Sequence, residues 1–552
     1  MRTQGRRRAM TEPDVVVIGG GPGGTTAATM LARKGWDVRL FERERFPREH
    51  VGESLLPASI PILEELGALP AIEAAEFLPK WGATMVWGAS PEPWSWYFRE
   101  TNIKHPHSYQ VWRPQFDQIL LENSRAHGVD VREGHRVVDV QFESGRATGV
   151  RVAADGGEEF VPARFVVDAS GQAGLLGRKL ALRRPDEQFR NLALYAYFEG
   201  AERLPEPDQS NIFIESYSDG WAWVIPLHTG QASVGFVVDS AAGQEAIARL
   251  GLEAAYAEQL ARAPHASRML RAAKQCGAAR VIRDWSYVSE EVAGDGYVLV
   301  GDAACFIDPL FSTGVHLALS AGVLGAAYVT TALKEPGMRE AAGAAYKSLY
   351  YEQYGLFREL ARLFYATNRT VDTYFWEARR ILNAEDSMTP RSAFIRAAAG
   401  QPPNGYERMV FVHGEAPPEF VEGISSLEGE RAARQRQLAE LPRTSRAVSL
   451  LGCVPVLAPG VAVERQAVLG EGEFAWGMVI TEPGRAGHVP VSAFVAQLVA
   501  AIDGATALGT LVANIAVGLD GEAAARLKQV AVQAAEILYI DNLIAELRGL
   551  GR

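Results

Sequence analysis

Three glycines and one acid near the start of the chain have the spacing of a dinucleotide-binding turn. Gly19, Gly21 and Gly24 form GxGxxG directly after the apolar segment 15–18, and Glu42 lies 23 residues beyond Gly19. In such a unit the glycines let the backbone approach a pyrophosphate, a helix N-terminus supplies N–H donors, and the acid accepts ribose hydroxyls. Strand, helix and acid are all present, so the sequence predicts dinucleotide binding rather than a glycine turn that only packs a helix.

The composition indicates a globular protein of two or three domains. The chain has 552 residues, of which 48% are hydrophobic, and its formal net charge is −11. This charge argues against nucleic acid or an anionic membrane as a partner. Cys276, Cys305 and Cys453 are far apart and match no disulfide or metal spacing, so we expect no metal and a cytoplasmic location. We also expect no membrane span, because no apolar run reaches about 18 residues.

Strand and helix patterns predict a mixed α/β chain. A helix is expected from Pro114 to about His127, and a later buried strand, "RFVVD", stops at Asp168. Residues 190–290 alternate apolar and polar side chains, which predicts a sheet with one face in water. The segment "GYVLVGDAACFIDPLFSTGVHLALSAG" predicts a strand, a glycine–acid turn, an irregular loop and a long helix of small residues.

Composition shifts along the chain predict its domain boundaries. The expected segments are a disordered leader at 1–12, a core at 13–397, a linker rich in proline and glycine at 398–425, and a C-terminal domain at 426–552. From about residue 486 the C-terminal part predicts three helices, with Gly504 between the first two, and resembles a winged helix. Its charges nearly cancel, so a substrate lid, a dimer contact or a dock for a carrier protein is expected there rather than DNA binding.

Three motifs in order resemble the FAD-binding fold of the para-hydroxybenzoate hydroxylase type. They are GxGxxG with its acid, a mid-chain "DASG", and a late "GDAA" followed by a helix. The resemblance implies a Rossmann-like FAD domain with an inserted β-rich substrate subdomain, built from 83–112 and 190–290. It also implies that Asp302 binds the ribityl chain of FAD and that Arg113 lies near the FAD phosphates.

Four further segments resemble flavin-dependent halogenases. "FPREHVGESLLP" is similar to the segment that these enzymes place beside the flavin ring, and "WAWVIP" matches their WxWxIP signature. "DPLFSTGVHLA" is similar to their loop over the flavin, and "FLPKWG" matches their FxxKxG. The resemblance implies that Lys80 is the catalytic residue.

The same resemblance assigns the remaining site residues. It implies that the backbone amides of Thr313 and Gly314 bind the halide, and that Gly314 also contacts the cofactor. The other cofactor contacts that it implies are Arg43, Ser54, Val315 and Asp284, the last as a point where FAD could be attached covalently. The implied substrate-side residues are Trp221, Trp223, Pro309 and Phe311. Read from the residues alone, Ser312 and Thr313 could simply cap a helix, and the two tryptophans could be core aromatics on one strand face.

The implied reaction uses reduced FAD, dioxygen and chloride or bromide to make hypohalous acid, which Lys80 delivers to an organic substrate. The sequence has no second dinucleotide fingerprint, so reduced FAD is expected from a separate flavin reductase. An activated aromatic or acyl substrate of natural-product biosynthesis is expected, free or tethered to a carrier protein.

Two alternatives share the fold. A flavin monooxygenase would consume NADPH and insert oxygen, but this class lacks the tryptophan signature and the lysine motif. A prenyl reductase of the geranylgeranyl type has a related "GDAA…DPLF" loop and would need neither halide nor dioxygen. Halide dependence separates the halogenase from both.

Overall fold

A computed structural model describes residues 12–87, 91–100, 102, 104–154, 156–283, 286–367, 433–442, 445–482 and 489–550. The predicted leader, apart from residue 12, the predicted linker at 398–425 and Asp284 lie outside these residues. The described elements fall into two compact units, and each is considered by itself.

The first unit contains twenty-one described strands. They are β1 (Val15–Ile18), β2 (Val38–Glu42), β3 (Leu78–Lys80), β4 (Gly82–Val86), β5 (Trp94–Tyr97), β6 (Ser108–Gln110), β7 (Asp130–Glu133), β8 (Arg136–Glu143), β9 (Arg146–Ala154), β10 (Gly157–Pro162), β11 (Phe165–Asp168), β12 (Arg183–Pro185), β13 (Asn191–Glu199), β14 (Ile212–Tyr217), β15 (Gly220–Pro226), β16 (Gln231–Asp239), β17 (Lys274–Ile282), β18 (Tyr287–Ser289), β19 (Ala293–Gly294), β20 (Tyr297–Leu299) and β21 (Cys305–Phe306).

The same unit contains ten described α-helices. They are α1 (Pro22–Arg33), α2 (Ile60–Glu65), α3 (Leu69–Ala74), α4 (Arg113–Ala126), α5 (Leu175–Lys179), α6 (Ser240–Leu250), α7 (Leu252–Arg262), α8 (Pro264–Met269), α9 (Gly314–Lys334) and α10 (Arg339–Thr367). The predicted helix from Pro114 corresponds to α4.

A six-stranded, mostly parallel sheet forms the dinucleotide-binding layer. Its order is β19–β20–β11–β1–β2–β7, and β1 pairs in parallel with both β2 and β11. The valines of β1 are fully buried, as expected for a central parallel strand that is covered on both faces. This sheet confirms the predicted Rossmann-type fold and places the ends of β1, β2, β11 and β20 at one edge.

A seven-stranded sheet in the order β17–β13–β16–β15–β14–β4–β5 forms the second layer. The prediction that one of its faces would lie in water is wrong, because β14 is buried along its whole length and β16 is buried from Ala232 to Val238. Phe236 of β16 packs against Tyr256 of α7 on one face, with ring centroids 5.1 Å apart. On the other face Ser233 and Gly235 lie under the indole of Trp223. The alternating positions are therefore occupied by small buried residues and not by solvent-exposed ones.

Helix α9 is the central helix of this unit. It is long and apolar enough to span a membrane by length and composition, but 83% of the qualifying window is buried inside the protein. Small residues allow α9 to approach α1 closely, since a Cβ on Gly322 would lie 2.8 Å from the carbonyl oxygen of Gly23. The helix therefore packs as core, and its N-terminus is fixed relative to the glycine turn before α1.

The second unit has its own hydrophobic core. Its described elements are α11 (Arg446–Gly452), β22 (Val454–Leu457), β23 (Ala462–Leu469), β24 (Phe474–Thr481), β25 (Val489–Val491), α12 (Ala493–Ala501), α13 (Leu508–Ile515), α14 (Gly521–Ile540) and β26 (Ile544–Arg548). The three predicted helices are present, with Gly504 between α12 and α13, and the strand β26 follows α14. The strands before α12 were not expected, and the winged-helix assignment stays a prediction.

Candidate active site

The glycines of the turn between β1 and α1 differ in whether the fold leaves room for a side chain. A Cβ on Gly19 would lie 2.4 Å from the Ala169 carbonyl oxygen, and one on Gly24 would lie 2.0 Å from the Gly19 carbonyl oxygen. Both glycines are therefore required by the fold itself. At Gly21 an added Cβ would meet only a guanidinium nitrogen of Arg48 at 3.5 Å. Gly21 thus faces open space beside a cation, which suits the approach of a pyrophosphate.

Glu42 at the end of β2 is held by the backbone. Its Oε2 accepts a 2.7 Å hydrogen bond from the Gly20 N–H, and its Oε1 accepts one of 2.9 Å from the Glu44 N–H. Each carboxylate oxygen keeps a further lone pair for a ribose hydroxyl. Arg43 lies at the surface, with its Nε 3.3 Å from Glu44 Oε1, and its cofactor contact stays a prediction.

Arg113 is buried at the start of α4 and binds protein rather than facing open space. Its guanidinium donates to both carboxylate oxygens of Asp117, at 2.8 and 2.9 Å, and to the Val51 carbonyl at 2.6 Å. These contacts make Arg113 an anchor for the loop 48–54. Arg48, whose guanidinium lies 3.4 Å from Asp117, is the cation beside Gly21, and the sequence analysis did not single it out.

Asp302 follows the strand β20 and lies at the same sheet edge. Burial raises the pKa of its carboxyl to about 6, and the guanidiniums of Arg113 and Arg183 oppose that shift. Among the described residues no donor hydrogen-bonds to this carboxylate, so it is an acceptor without a protein partner. Asp302, Glu42 and the open side of Gly21 together fit an FAD molecule along this edge.

Lys80, the last residue of β3, is buried with 2% of its surface exposed. Its Nζ donates to the Leu55 carbonyl at 3.1 Å and to Ser312 Oγ at 3.4 Å, and it lies 5.5 Å from the centre of the Phe98 ring. Within the described part of the chain it pairs with no carboxylate. Burial lowers the pKa of the amine to about 7, so the neutral form is accessible near neutral pH.

The predicted halide turn lies directly beside Lys80. Ser312 has a left-handed backbone, with φ of 58°, and Thr313 is the N-cap of α9. The Thr313 side chain makes no capping hydrogen bond, which argues against the reading that it simply caps the helix. Gly314 and Val315 begin the helix, whose first N–H groups have no intrahelical acceptor and can receive an anion.

On the substrate side, Trp221 and Trp223 lie on one face of β15, with ring centroids 6.0 Å apart. The Trp221 indole donates a 2.6 Å hydrogen bond to the hydroxyl of Tyr365, which donates in turn to Asp308 Oδ2 at 3.1 Å. Trp223 instead packs on Gly235 and donates to Ser233 at 3.3 Å. Trp221 is therefore connected through Tyr365 to the loop that carries Asp308, whereas Trp223 contacts the neighbouring strand β16.

The end of α10 completes this side of the site. Phe364 lies between Phe311, at 4.7 Å between ring centroids, and Trp87, at 6.1 Å. Pro309 is partly buried in the same loop as Phe311. Sequence reasoning missed Phe364 and Tyr365, because no local motif connects them to residues 221 and 308.

Comparisons with known proteins show which family the chain belongs to. The family model for tryptophan halogenase matches residues 100–415, and the model for FAD-dependent oxidoreductases matches residues 14–179. A tryptophan 2-halogenase of Chondromyces crocatus is 36% identical over 376 residues, covering 67% of this chain and 71% of its own. A 1H-pyrrole-2-carbonyl-[peptidyl-carrier protein] chlorinase of Pseudomonas fluorescens is 34% identical, covering 64% and 84%.

A solved structure has the same fold. The myxobacterial chondrochloren halogenase CndH, a variant of the FAD-dependent halogenases, superposes with a TM-score of 0.65 at 41% identity and covers 75% of this chain and 96% of its own. The chain therefore belongs to the tryptophan halogenase family of FAD-dependent enzymes. It is a flavin-dependent halogenase, an enzyme of the oxidoreductase class.

Proposed function

We propose that Lys80 delivers hypohalous acid, formed from chloride or bromide, to an activated aromatic or acyl substrate. The observation that carries the proposal is the position of the Lys80 amine, which is buried, unpaired with any carboxylate in the described residues, and 3.4 Å from Ser312 Oγ. A buried neutral amine can accept halogen from hypohalous acid or hydrogen-bond to its oxygen. The first role suits the amine here, because burial favours the uncharged nucleophile.

FAD fits the edge formed by Gly21, Glu42 and Asp302, and when reduced it supplies, with dioxygen, the oxidising equivalents for the halide. The chain's own residues bind and orient it: Gly21 admits the pyrophosphate, Arg48 supplies a cation beside it, and Glu42 accepts ribose hydroxyls. The start of α9 binds the halide through the N–H groups of Thr313 and Gly314. Ser54 and Val315 flank the flavin in this proposal.

The relatives support a class of substrate, and the sequence supports a separate electron donor. One relative acts on tryptophan and another on a pyrrole carried by a peptidyl-carrier protein, so we propose an aromatic substrate, free or carrier-tethered. The sequence contains one dinucleotide fingerprint, which supports a separate flavin reductase as the source of reduced FAD. NADPH alone should then support no turnover, whereas rapid NADPH oxidation by the isolated protein would favour a monooxygenase.

The decisive test is Lys80→Ala assayed with reduced FAD, dioxygen and bromide or chloride against phenols, pyrroles and carrier-bound aryl thioesters. FAD affinity and oxygen consumption should stay near those of the wild type, because the side chain is not part of the flavin edge. Organic halogenation should fall by several orders of magnitude, since a positioned group at the transferring atom contributes a few kcal/mol. Lys179→Ala, which removes an exposed lysine paired with Asp139, is the matched control and should halogenate normally. Full halogenation by Lys80→Ala, or wild-type turnover without halide, would contradict the proposal.

A further inference from the structure

The strand that carries Lys80 belongs to a small sheet, one face of which carries several polar side chains beside the apolar Leu78. β3 pairs antiparallel with β6, so that Lys80 lies opposite Ser108 and Leu78 lies opposite Gln110, and Ser54 forms a single bridge to Gln110. Residues directly opposite each other in antiparallel pairs project to the same face, as do residues two apart on one strand. Lys80, Ser108, Gln110 and Ser54 therefore share one face, here called the Lys80 face.

The polar groups of the Lys80 face are buried but incompletely satisfied. Ser108 and Gln110 are fully buried and Ser54 is 5% exposed. Ser108 Oγ, Ser54 Oγ and Gln110 Oε1 have no hydrogen-bond partner among the described residues. The Gln110 amide is nevertheless fixed, because its Nε2 donates to the Ser210 carbonyl at 3.2 Å. Buried polar atoms are nearly always paired, so three such atoms on one face indicate a missing polar ligand.

The ligand that this face fits is small, uncharged and able both to donate and to accept a hydrogen bond. Hydroxyl groups can do either, Gln110 Oε1 accepts, and the Lys80 amine donates. The face contains no carboxylate that would bind a cation. Its one ionisable group, Lys80, is the amine to which the proposed function brings hypohalous acid.

We propose that Ser108, together with Gln110 and Ser54, holds the oxygen end of hypohalous acid while its halogen faces the Lys80 amine. This inference rests on the proposed function and adds the residues that retain the oxidant. Ser108 is the central residue because it lies opposite Lys80 across the strand pair. Retention at this face keeps the oxidant from diffusing into solvent before it meets the organic substrate.

The transfer balances without any further reagent. The neutral Lys80 amine attacks the halogen, the N–X bond forms as the O–X bond breaks, and the amine proton and the hydroxide leave together as water. The haloamine then passes the halogen to a ring carbon, which loses its proton, and the amine is restored. Overall an aryl C–H and hypohalous acid give an aryl C–X and water, and Ser108 acts by hydrogen-bonding the departing oxygen.

The test uses the full chain with Ser108→Ala and Ser108→Thr, and with taurine in the buffer to trap released hypohalous acid as its N-halo product. Ser108→Ala should lower organic halogenation by about tenfold or more, raise haloamine formation on taurine correspondingly, and leave oxygen consumption unchanged. Ser108→Thr keeps a hydroxyl on a residue favoured in strands, so it should restore most of the product. The flavin-free Ser108→Ala protein should melt no lower than wild type, because the hydroxyl it loses has no protein partner.

Ser289→Ala is the matched control, since Ser289 is also fully buried with an unpartnered hydroxyl but lies on β18, away from the Lys80 face. It should change neither the product yield nor the taurine yield. An unchanged partition between product and taurine in Ser108→Ala would overturn the inference, as would a lower melting temperature with a parallel loss of oxygen consumption. If Lys80→Ala loses halogenation while Ser108→Ala does not, only this inference fails; if Lys80→Ala keeps halogenation, the proposed function fails first.

Discussion

The flavin edge and the substrate side of the first unit are built in different ways. At the flavin edge, the glycine turn and Glu42 belong to one β–α–β unit, in which the Gly20 N–H binds the carboxylate of Glu42, 22 residues away. Asp302 is the group of this edge that comes from a distant part of the chain. On the substrate side the decisive contacts join distant residues: Lys80 reaches Ser312 across 232 positions, and Trp221 reaches Tyr365 across 144. Most of the flavin edge is thus built within one local unit, whereas the substrate side depends on tertiary packing.

The two regions also treat buried charge differently. Arg113 is bidentate to Asp117, so the buried cation beside the flavin edge is fully compensated. Lys80 is buried to a similar degree with only neutral hydrogen-bond acceptors. A paired charge stabilises a position, while an unpaired amine is costly to the folded state and chemically reactive. The comparison predicts that the flavin edge is optimised for rigidity and that Lys80 is kept for chemistry at the expense of stability.

Gly21→Val should give the largest effect and tests the flavin edge. The new Cβ would meet only the Arg48 guanidinium, so the protein should fold, yet the side chain occupies the approach of the pyrophosphate. We expect FAD affinity to fall by more than about a hundredfold, as measured by fluorescence titration of the apoprotein. Gly24→Ala is the contrasting variant, because its Cβ would lie 2.0 Å from the Gly19 carbonyl oxygen and should lower the melting temperature itself. Retained FAD in Gly21→Val would show that the turn does not bind the cofactor.

The same contrast explains what could be predicted from the sequence. The glycine turn and Glu42 follow from local spacing, and together with the later "DASG" and "GDAA" motifs they made the Rossmann-type fold predictable. The polar side chains around Lys80 could not be predicted in this way. Ser108 belongs to no sequence motif, and only the register of β3 with β6 places it opposite Lys80. The role of Arg113 near the FAD phosphates stays a prediction, and its contacts with Asp117 and Val51 had no signal in the sequence. The prediction of a solvent-exposed face on the seven-stranded sheet was wrong, because small buried residues under indoles alternate along a strand with the same period as exposed polar residues.

Lys80→Met tests the claim that the substrate side sacrifices stability. Burial lowers the pKa of Lys80 from 10.5 to about 7, so between these values the unfolded state binds a proton that the folded state does not. Stability of the wild type then rises with pH across this window, and the full penalty is present below pH about 7. Lys80→Met removes the titration, so its free energy of unfolding relative to wild type should decrease by about 2 kcal/mol between about pH 7 and pH 9.

Urea unfolding of the flavin-free proteins at the two pH values measures this difference. Lys179→Met, at an exposed site, is the control and should show no such trend. If the difference in free energy of unfolding between Lys80→Met and wild type does not change with pH, Lys80 stays protonated in the folded protein. Lys80 and Arg113 would then differ in their hydrogen-bond partners but not in their charge.

Tyr365→Phe should give the smallest effect and tests whether the long-range link on the substrate side is functional. The change removes one hydroxyl and with it the hydrogen bonds that this hydroxyl makes with the indole N–H of Trp221, the amide of Asn191 and Oδ2 of Asp308. A net loss of about 1.4 kcal/mol in the positioning of Trp221 corresponds to roughly a tenfold lower rate of organic halogenation, with FAD affinity unchanged because the flavin edge is separate. Tyr328→Phe is the control, because it removes a similarly buried hydroxyl that is bound to the Gly294 carbonyl. It should lower stability but leave the rate of organic halogenation unchanged.

A double variant tests whether the link positions Trp221 relative to the loop of Asp308. If it does, Trp221→Phe combined with Tyr365→Phe should lose little more halogenation activity than either change alone, since both changes break the same contact. Strictly additive losses would instead show that the two residues act separately, and the substrate side would then resemble the flavin edge in being assembled from independent local parts.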